Sequence, residues 1–407
     1  MIYPPCLKKG DLIGICAPSA GVGHKLESFD RSLSVLHAEG YRTRETESVR
    51  LDSDRGGSAM KRGEELMDLF RDPDVKMVMA ASGGDFLDEM LPFTDFAFMR
   101  KNPRWLMGAS DPTGLLFPYT TLCDVATLYG NNAGSYDILA PEGGILCGNH
   151  AENSDMSAPG EGGASGHSKS AAGEAEDGRR QAKGMPGQPG DYLRDSLAFL
   201  KGKPVIQRTS GMHLGCPPFM AQELKYDTPT AWQATSRSIH VSGRCIGGCI
   251  DVLKDLIGTP YDGAKDFVAR YGARDGIIWY FDNFALSAEV LYRTCLQMKY
   301  AGWFEHTRAV LFGRTLFEKS ESGMTYGDAV RMAFGGEWKT GKVAEEYPGT
   351  GCGQKQEEAG TGCGQRTIPV IWEADIGHTI PHMTMINGAM LSLDYEDGKG
   401  TLRFSLI

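Results

Sequence analysis

WLMGASDPTGLL, residues 105–116, carries four residues able to form a buried strand, a turn of small residues, and the start of an apolar helix. Ser110 stands at the turn and can be read in two ways. Ser110-Asp111-Pro112 has the marks of a helix N-terminus: a hydroxyl able to cap, an acid at the positive end of the dipole, and proline where no N–H is missed. The same turn would also lift a serine hydroxyl above a sheet edge, beside the N–H of the following residue, where a nucleophile and an oxyanion donor belong. Gly108-Ala109-Ser110-Asp111 is not the G-x-S-x-G pattern of α/β hydrolases, so the stretch alone leaves cap and nucleophile both open.

Outward from this stretch, the strand–turn–helix pattern recurs. GDLIGICAPSAGVG (10–23) reads as a strand and a Gly-rich turn, followed by a helix in which Phe29, Leu33 and Leu36 share a face and Gly40 marks the end. EELMDLFRD (64–72) reads as a helix, and VKMVMAAS (75–82) as a buried strand ending at Gly83-Gly84. Strands alternating with helices predict an α/β domain over 1–139, with a parallel, flavodoxin-like sheet covered on both faces. Ligands of such sheets sit beyond the carboxyl ends of the strands, where Gly83-Gly84 and Ser110 both fall.

Residues 140–190 break this pattern. APGEGGASGHSKSAAGEAEDGRRQAKGMPGQPGD (158–191) is too poor in aliphatic residues to offset its ordering entropy, and a disordered insertion is expected. A Gly-rich loop expansion is expected over about 339–366, where GTGCGQ begins at both Gly349 and Gly360. The remainder of 191–407 reads as a second, smaller and β-rich domain, with IIWYF (277–281), the helical SAEVLYRTCLQMKYAGWF (287–304), AVLFGR (309–314) and late alternating strands. A pocket, and with it the active site, is expected where the two domains meet.

The 407 residues carry a net charge of −10, from 42 basic and 52 acidic side chains, which opposes binding to a phosphate backbone, so no nucleic-acid partner is expected. The first twenty residues break at Lys8, Lys9, Gly10 and Asp11 rather than forming an export signal, and no stretch reads as a membrane span. A cytoplasmic protein is expected. Ten scattered cysteines include no Cys-x-x-Cys pair. Free, mostly buried thiols are the simplest reading, and no metal site is expected, Cys245 and Cys249 being the one weak pair. With neither a GxGxxG run nor a P-loop, no cofactor is called for.

A serine nucleophile needs a base, and the base an orienting acid. Of nine histidines, His150 and His167 lie in the insertion, and His24, His37 and His306 lie in or beside helical surfaces. His378, between glycine and threonine after an apolar strand, occupies a turn able to present an imidazole.

Six segments together resemble the LD-carboxypeptidase family, serine peptidases that include muramoyltetrapeptide carboxypeptidases and microcin-C-immunity-type proteins. They are GDLIGICAPS (10–19), ASGGDFLDEMLPFTDF (81–96), NPRWLMGASDPTGLL (102–116), IGGCIDVLKDLIGTPY (246–261), MKYAGWFEHTRAVLFGR (298–314) and DIGHTIPHMTMINGA (375–389). The resemblance implies a Ser–Glu–His triad in which Ser110 is the nucleophile and His378 the base, with the backbone N–H groups of Gly84 and Asp111 as oxyanion donors. It implies hydrolysis of an amide bond to a D-configured residue, such as release of D-alanine from a murein tetrapeptide, through an acyl-enzyme. It also implies a small peptide or muropeptide partner and a homodimer.

The acid departs from the family pattern. In GIIWYFDNFAL (276–286) the matching residue is Asp282, one methylene shorter than glutamate. To orient His378, the backbone must approach by roughly 1 Å or a water must bridge. Glu289 is the fallback acid. Three alternatives follow: an immunity-type hydrolase of peptidyl-nucleotide amides, with Trp279 or Trp303 stacking a base; a non-catalytic ligand-binding relative; and, more weakly, a nucleotide-binding α/β domain.

Overall fold

The computed structural model describes residues 1–140, 191–335 and 367–407, apart from positions 217, 219, 220, 222, 223 and 316. The expected insertion at 140–190 and the loop expansion at 339–366 therefore lie outside the described residues, save for Ala140.

The first part of the chain alternates as expected: β1 (Leu12–Cys16), α1 (Leu26–Ala38), β2 (Arg42–Glu45), α2 (Ala59–Arg71), β3 (Val75–Ala80), α3 (Phe96–Lys101), β4 (Trp105–Gly108), α4 (Thr113–Cys123) and β5 (Thr127–Tyr129). These five strands are parallel in the order β5-β4-β3-β1-β2, which is the flavodoxin-like order. β1 and β4 are buried along their whole length because helices cover both faces of the sheet.

The second part contributes α5 (Asp191–Leu200), β6 (Ile206–Arg208), β7 (Met212–His213), β8 (Thr228–Pro229), β9 (Gln233–Ala234), β10 (Ser238–Cys249), α6 (Ile250–Leu256), α7 (Ala264–Asp275), β11 (Ile277–Asp282), α8 (Ala288–Tyr300), β12 (Thr307–Gly313), α9 (Tyr326–Phe334), β13 (Val370–Ala374), β14 (Met385–Asn387), β15 (Met390–Glu396) and β16 (Lys399–Ser405). Eight of these strands form a mixed sheet, β6-β16-β15-β10-β11-β12-β13-β9, parallel in its centre and antiparallel toward its edges. This part is β-rich as read, although its sheet has more strands than the first.

Two late elements return to the first sheet. β14 pairs antiparallel with β5, and α5 buries Leu193, Leu197 and Leu200 in the core beneath β1, β3 and β4. Composition placed α5 beyond the boundary at 190, but its apolar face packs with the N-terminal half.

Helix α4 joins the halves. Every residue in it except Leu122 is buried, because one side meets the first sheet and the other the second. Phe117 stacks on Trp303 at 5.2 Å and lies 6.4 Å from Trp279, so one continuous core spans both sheets. Thr113 Oγ1 accepts the Cys249 N–H at 3.0 Å, tying the start of α4 to the end of β10. Both sheets thereby direct their central carboxyl ends toward one junction.

Candidate active site

Ser110 adopts φ +68°, a left-handed conformation that a serine occupies only when its surroundings impose it. It does not cap α4: the helix starts at Thr113, its N-cap is Pro112, and no side chain caps it. The Ser110 carbonyl accepts the Thr113 N–H at 2.9 Å, so the chain folds back by a backbone turn and leaves the hydroxyl free. Ser110 Oγ has no hydrogen-bond partner among the described residues.

The Gly83-Gly84 turn at the end of β3 runs against this serine. A Cβ at Gly83 would lie 3.2 Å from Ser110 Oγ, and one at Gly84, whose φ is +150°, would strike Ser19 Oγ at 2.3 Å. Buried Arg62 fixes the neighbouring loops by donating to the carbonyls of Pro18 at 2.7 Å and Phe86 at 2.9 Å. Among the described residues, the Gly84 and Asp111 N–H groups have no backbone acceptor. The Asp111 carboxylate accepts from Ser19 Oγ and, at 2.9 Å, from the Leu87 N–H. Burial lifts its pKa to about 6.

Asp282, the last residue of β11, is fully buried. His378 Nδ1 lies 2.7 Å from Asp282 Oδ2, a close ion-pair distance although off the line of an ideal ring N–H bond. The His378 backbone N–H reaches Asp282 Oδ1 at 3.3 Å. The loop has therefore come down to the shorter acid, and Gly377 is why it can. Gly377 has φ +95°, and a Cβ there would lie 1.9 Å from Asp282 Oδ1. Burial of the His378 ring pushes its pKa down, but the adjoining Asp282 carboxylate and the more distant Asp251 together outweigh this, and the net displacement is upward.

The loop after β13 has its own support. Buried Arg314 donates to Asp375 Oδ1 at 2.6 Å, Thr379 Oγ1 at 3.1 Å and the Pro381 carbonyl at 3.1 Å. The second histidine of this loop, His382, contacts Asn131 Oδ1 through Nε2 at 3.0 Å. Burial drives its pKa down to about 4, so it is neutral and packed rather than poised as a base.

Other candidates separate from the site. Glu289 sits in the first turn of α8 and accepts from Ser320 Oγ at 2.6 Å and the Ser322 N–H at 2.9 Å, so it is committed to that loop. Trp279 and Trp303 are fully buried and stack on each other at 5.5 Å, which excludes either as a base-stacking platform. Cys245 and Cys249 are buried free thiols on β10.

Tyr129 was not legible as part of this site. Its hydroxyl donates to Asp282 Oδ2 and accepts the Ser110 N–H at 3.3 Å, connecting the serine turn of one sheet to the acid of the other. An aromatic residue at the end of an apolar strand reads as core, and nothing local to it signals the partner, which lies 153 positions away.

A two-domain α/β protein with serine, histidine and carboxylate gathered at the junction of its sheets belongs, by this arrangement, among candidate serine hydrolases. The family models for the LD-carboxypeptidase N-terminal and C-terminal domains match residues 13–130 and 242–393, and the chain belongs to the LD-carboxypeptidase family. A Vibrio cholerae protein provisionally named a carboxypeptidase is 25% identical over 337 residues, covering 80% of this chain and 83% of that one. Among solved structures, the microcin C7 self-immunity protein MccF in complex with aspartyl sulfamoyl adenosine superposes with TM-score 0.67 at 19% identity, over 100% of this chain and 99% of that one. The muramoyltetrapeptide carboxypeptidase of Oxalobacter formigenes gives TM-score 0.61 at 16% identity, over 97% and 99% of the two chains. Among the described residues, no helix is long and apolar enough to cross a membrane.

Proposed function

We propose that this protein is a serine carboxypeptidase that hydrolyses the amide bond to a terminal D-amino acid, as in the loss of D-alanine from a murein tetrapeptide. The observation that carries this reading is the 2.7 Å approach of His378 to Asp282, at the junction that also holds the left-handed Ser110. In this mechanism His378 takes the Ser110 proton as the hydroxyl oxygen attacks the carbonyl carbon. Asp282 holds the imidazole in the tautomer with its free nitrogen toward the serine and stabilises the imidazolium that forms. The Gly84 and Asp111 N–H groups receive the developing oxyanion. The imidazolium then protonates the leaving amine, and water, deprotonated by His378, releases the acyl group from Ser110.

The contact between Asp282 and His378 favours this over a non-catalytic relative, since a carboxylate unable to reach its histidine was the reason to consider one. Lys25 Nζ lies 3.5 Å from Ser82 Oγ beside the Gly83-Gly84 turn, and a cation this close to the serine turn supports a substrate that ends in a carboxylate. A cytoplasmic homodimer acting on muropeptides belongs to the same reading.

A second reading, cleavage of a peptidyl-nucleotide amide, draws support from the fold shared with MccF bound to aspartyl sulfamoyl adenosine. A direct comparison separates the two. The purified protein is given an L,D-tetrapeptide and an aminoacyl sulfamoyl adenosine, and kcat/KM is measured for each. The first reading predicts faster turnover of the peptide, and preference for the nucleotide would replace it with the second.

A further inference from the structure

Tyr129 stands between the two halves of the proposed machinery. It ends β5, opposite Gly108 in the parallel register, and its ring is buried 5.8 Å from that of Tyr280 on β11, the strand that carries Asp282. A phenol has one proton to give, and this one goes to Asp282 Oδ2, leaving the oxygen to accept the Ser110 N–H.

We propose that Tyr129 is a positioning residue that holds Asp282 in register with the serine turn and tempers the basicity of His378 by sharing Asp282 Oδ2 with the imidazole. The inference rests on the triad reading above. Its physical basis is competition for one oxygen. Oδ2 faces both the phenol and His378 Nδ1, whereas Oδ1 faces the His378 backbone N–H. A hydrogen bond to the ionised carboxylate spreads its charge and leaves less to stabilise an imidazolium. Without the phenol, the carboxylate would hold the imidazolium more firmly, and the base would stay protonated to a higher pH.

The other groups facing His378 do not supply this effect. Asp251 on α6 is a second carboxylate and draws the imidazole pKa upward, but its oxygens are occupied by the Phe284 and Ala285 N–H groups, each at 2.9 Å. The Phe284 ring, 4.6 Å from the imidazole, is uncharged. His382 on the same loop is held neutral by burial. Tyr129 itself stays protonated because burial and the neighbouring Asp282 push its pKa well above the ordinary phenol value. It thus acts as a donor throughout the working pH range.

The test is Tyr129→Phe, which removes the oxygen and keeps the ring. The His378 pKa is read by NMR of ¹⁵N-labelled imidazole in the resting protein, with the signal assigned by its loss in His378→Gln. The expected result is an upward shift of about 0.5–1 pH unit, with the acid limb of kcat/KM moving in the same direction. Replacing Tyr129 by 3-fluorotyrosine, a more acidic donor, should move the titration the opposite way, and it supplies the test if the phenylalanine variant does not fold. An unmoved titration, or one displaced downward in Tyr129→Phe, overturns the proposal. Because the titration needs no substrate, it stands even if neither candidate substrate is cleaved, whereas such a failure would remove the hydrolase reading.

Discussion

At the scale of single residues, the account depends on how a shortened acid reaches its histidine. Asp282 contacts His378 because Gly377 lets the loop descend onto the carboxylate, so a methyl group at position 377 should part the pair. Gly377→Ala is expected to lower kcat by about 10²-fold or more, since displacements near 1 Å at a catalytic group cost that much. Circular dichroism should show the fold intact, and a variant within about twofold of wild type would mean the approach is unimportant. Asp282→Asn should lower kcat by about 10³–10⁴-fold, because an amide favours the wrong tautomer.

The pH dependence follows from the same contact. His378 must be neutral to act as base, and Asp282 raises its pKa above the ordinary value. Activity should therefore rise with pH, through a limb displaced upward from the ordinary histidine value. In Asp282→Asn the larger upward pull is lost, leaving that of Asp251 against the same burial, so the limb should move to lower pH even as the plateau falls. A pH–rate profile of kcat/KM for both proteins checks the sign.

Legibility at this scale was uneven. Ser110, His378, Gly84, Asp111 and Asp282 could be proposed because each lies in a short motif, and what the structure adds is contact between Asp282 and His378, with Tyr129 joining Asp282 to the Ser110 N–H. That Ser110 does not cap α4 was not legible, because Ser-Asp-Pro suits both a capped helix and a strained turn. Only the backbone dihedral separates them. Tyr129 and Arg314 escaped because their partners are distant in sequence, and a tyrosine or arginine in an apolar stretch carries no local sign of what it binds.

At the scale of elements, helix α4 is the piece on which both sheets rest. Its sequence, TGLLFPYTTLC, is apolar on all sides, a pattern that suits burial without saying which surfaces supply it. The tie between Thr113 and Cys249 places the start of this helix, and with it the serine turn, against β10. Thr113→Val keeps the shape but leaves the buried Cys249 N–H without an acceptor, which should destabilise the protein by about 1–3 kcal/mol. Urea denaturation provides the measurement, and an unchanged midpoint would show that the contact does not hold the halves together.

Strands β1, β3 and β4 of the parallel sheet were readable because each is an apolar run followed by a helix or turn of recognisable composition, whereas β2, RTRE, is polar and β5, TLY, is too short to carry a pattern. The return of β14 to the first sheet, and of α5 to its core, was not readable either. MIN (385–387) is too short to carry a pattern, and the face of α5 is equally compatible with either half.

At the scale of the whole molecule, the proposed site lies where two sheets from different parts of one chain present their strand ends to each other. The first sheet supplies Ser110 and the proposed oxyanion donors, and the second supplies Asp282 and the loop bearing His378. Neither half holds the proposed base together with the proposed nucleophile, so activity should require both. The central claim is that Ser110 attacks the amide bond of an L,D-peptide, and it is tested by quantifying free D-alanine released from a murein tetrapeptide by wild type and by Ser110→Ala. The account predicts steady release by the wild type and a loss of about 10⁴-fold or more in the variant, as expected when a nucleophile is removed. Release of D-alanine by Ser110→Ala at a rate near that of the wild type would contradict it.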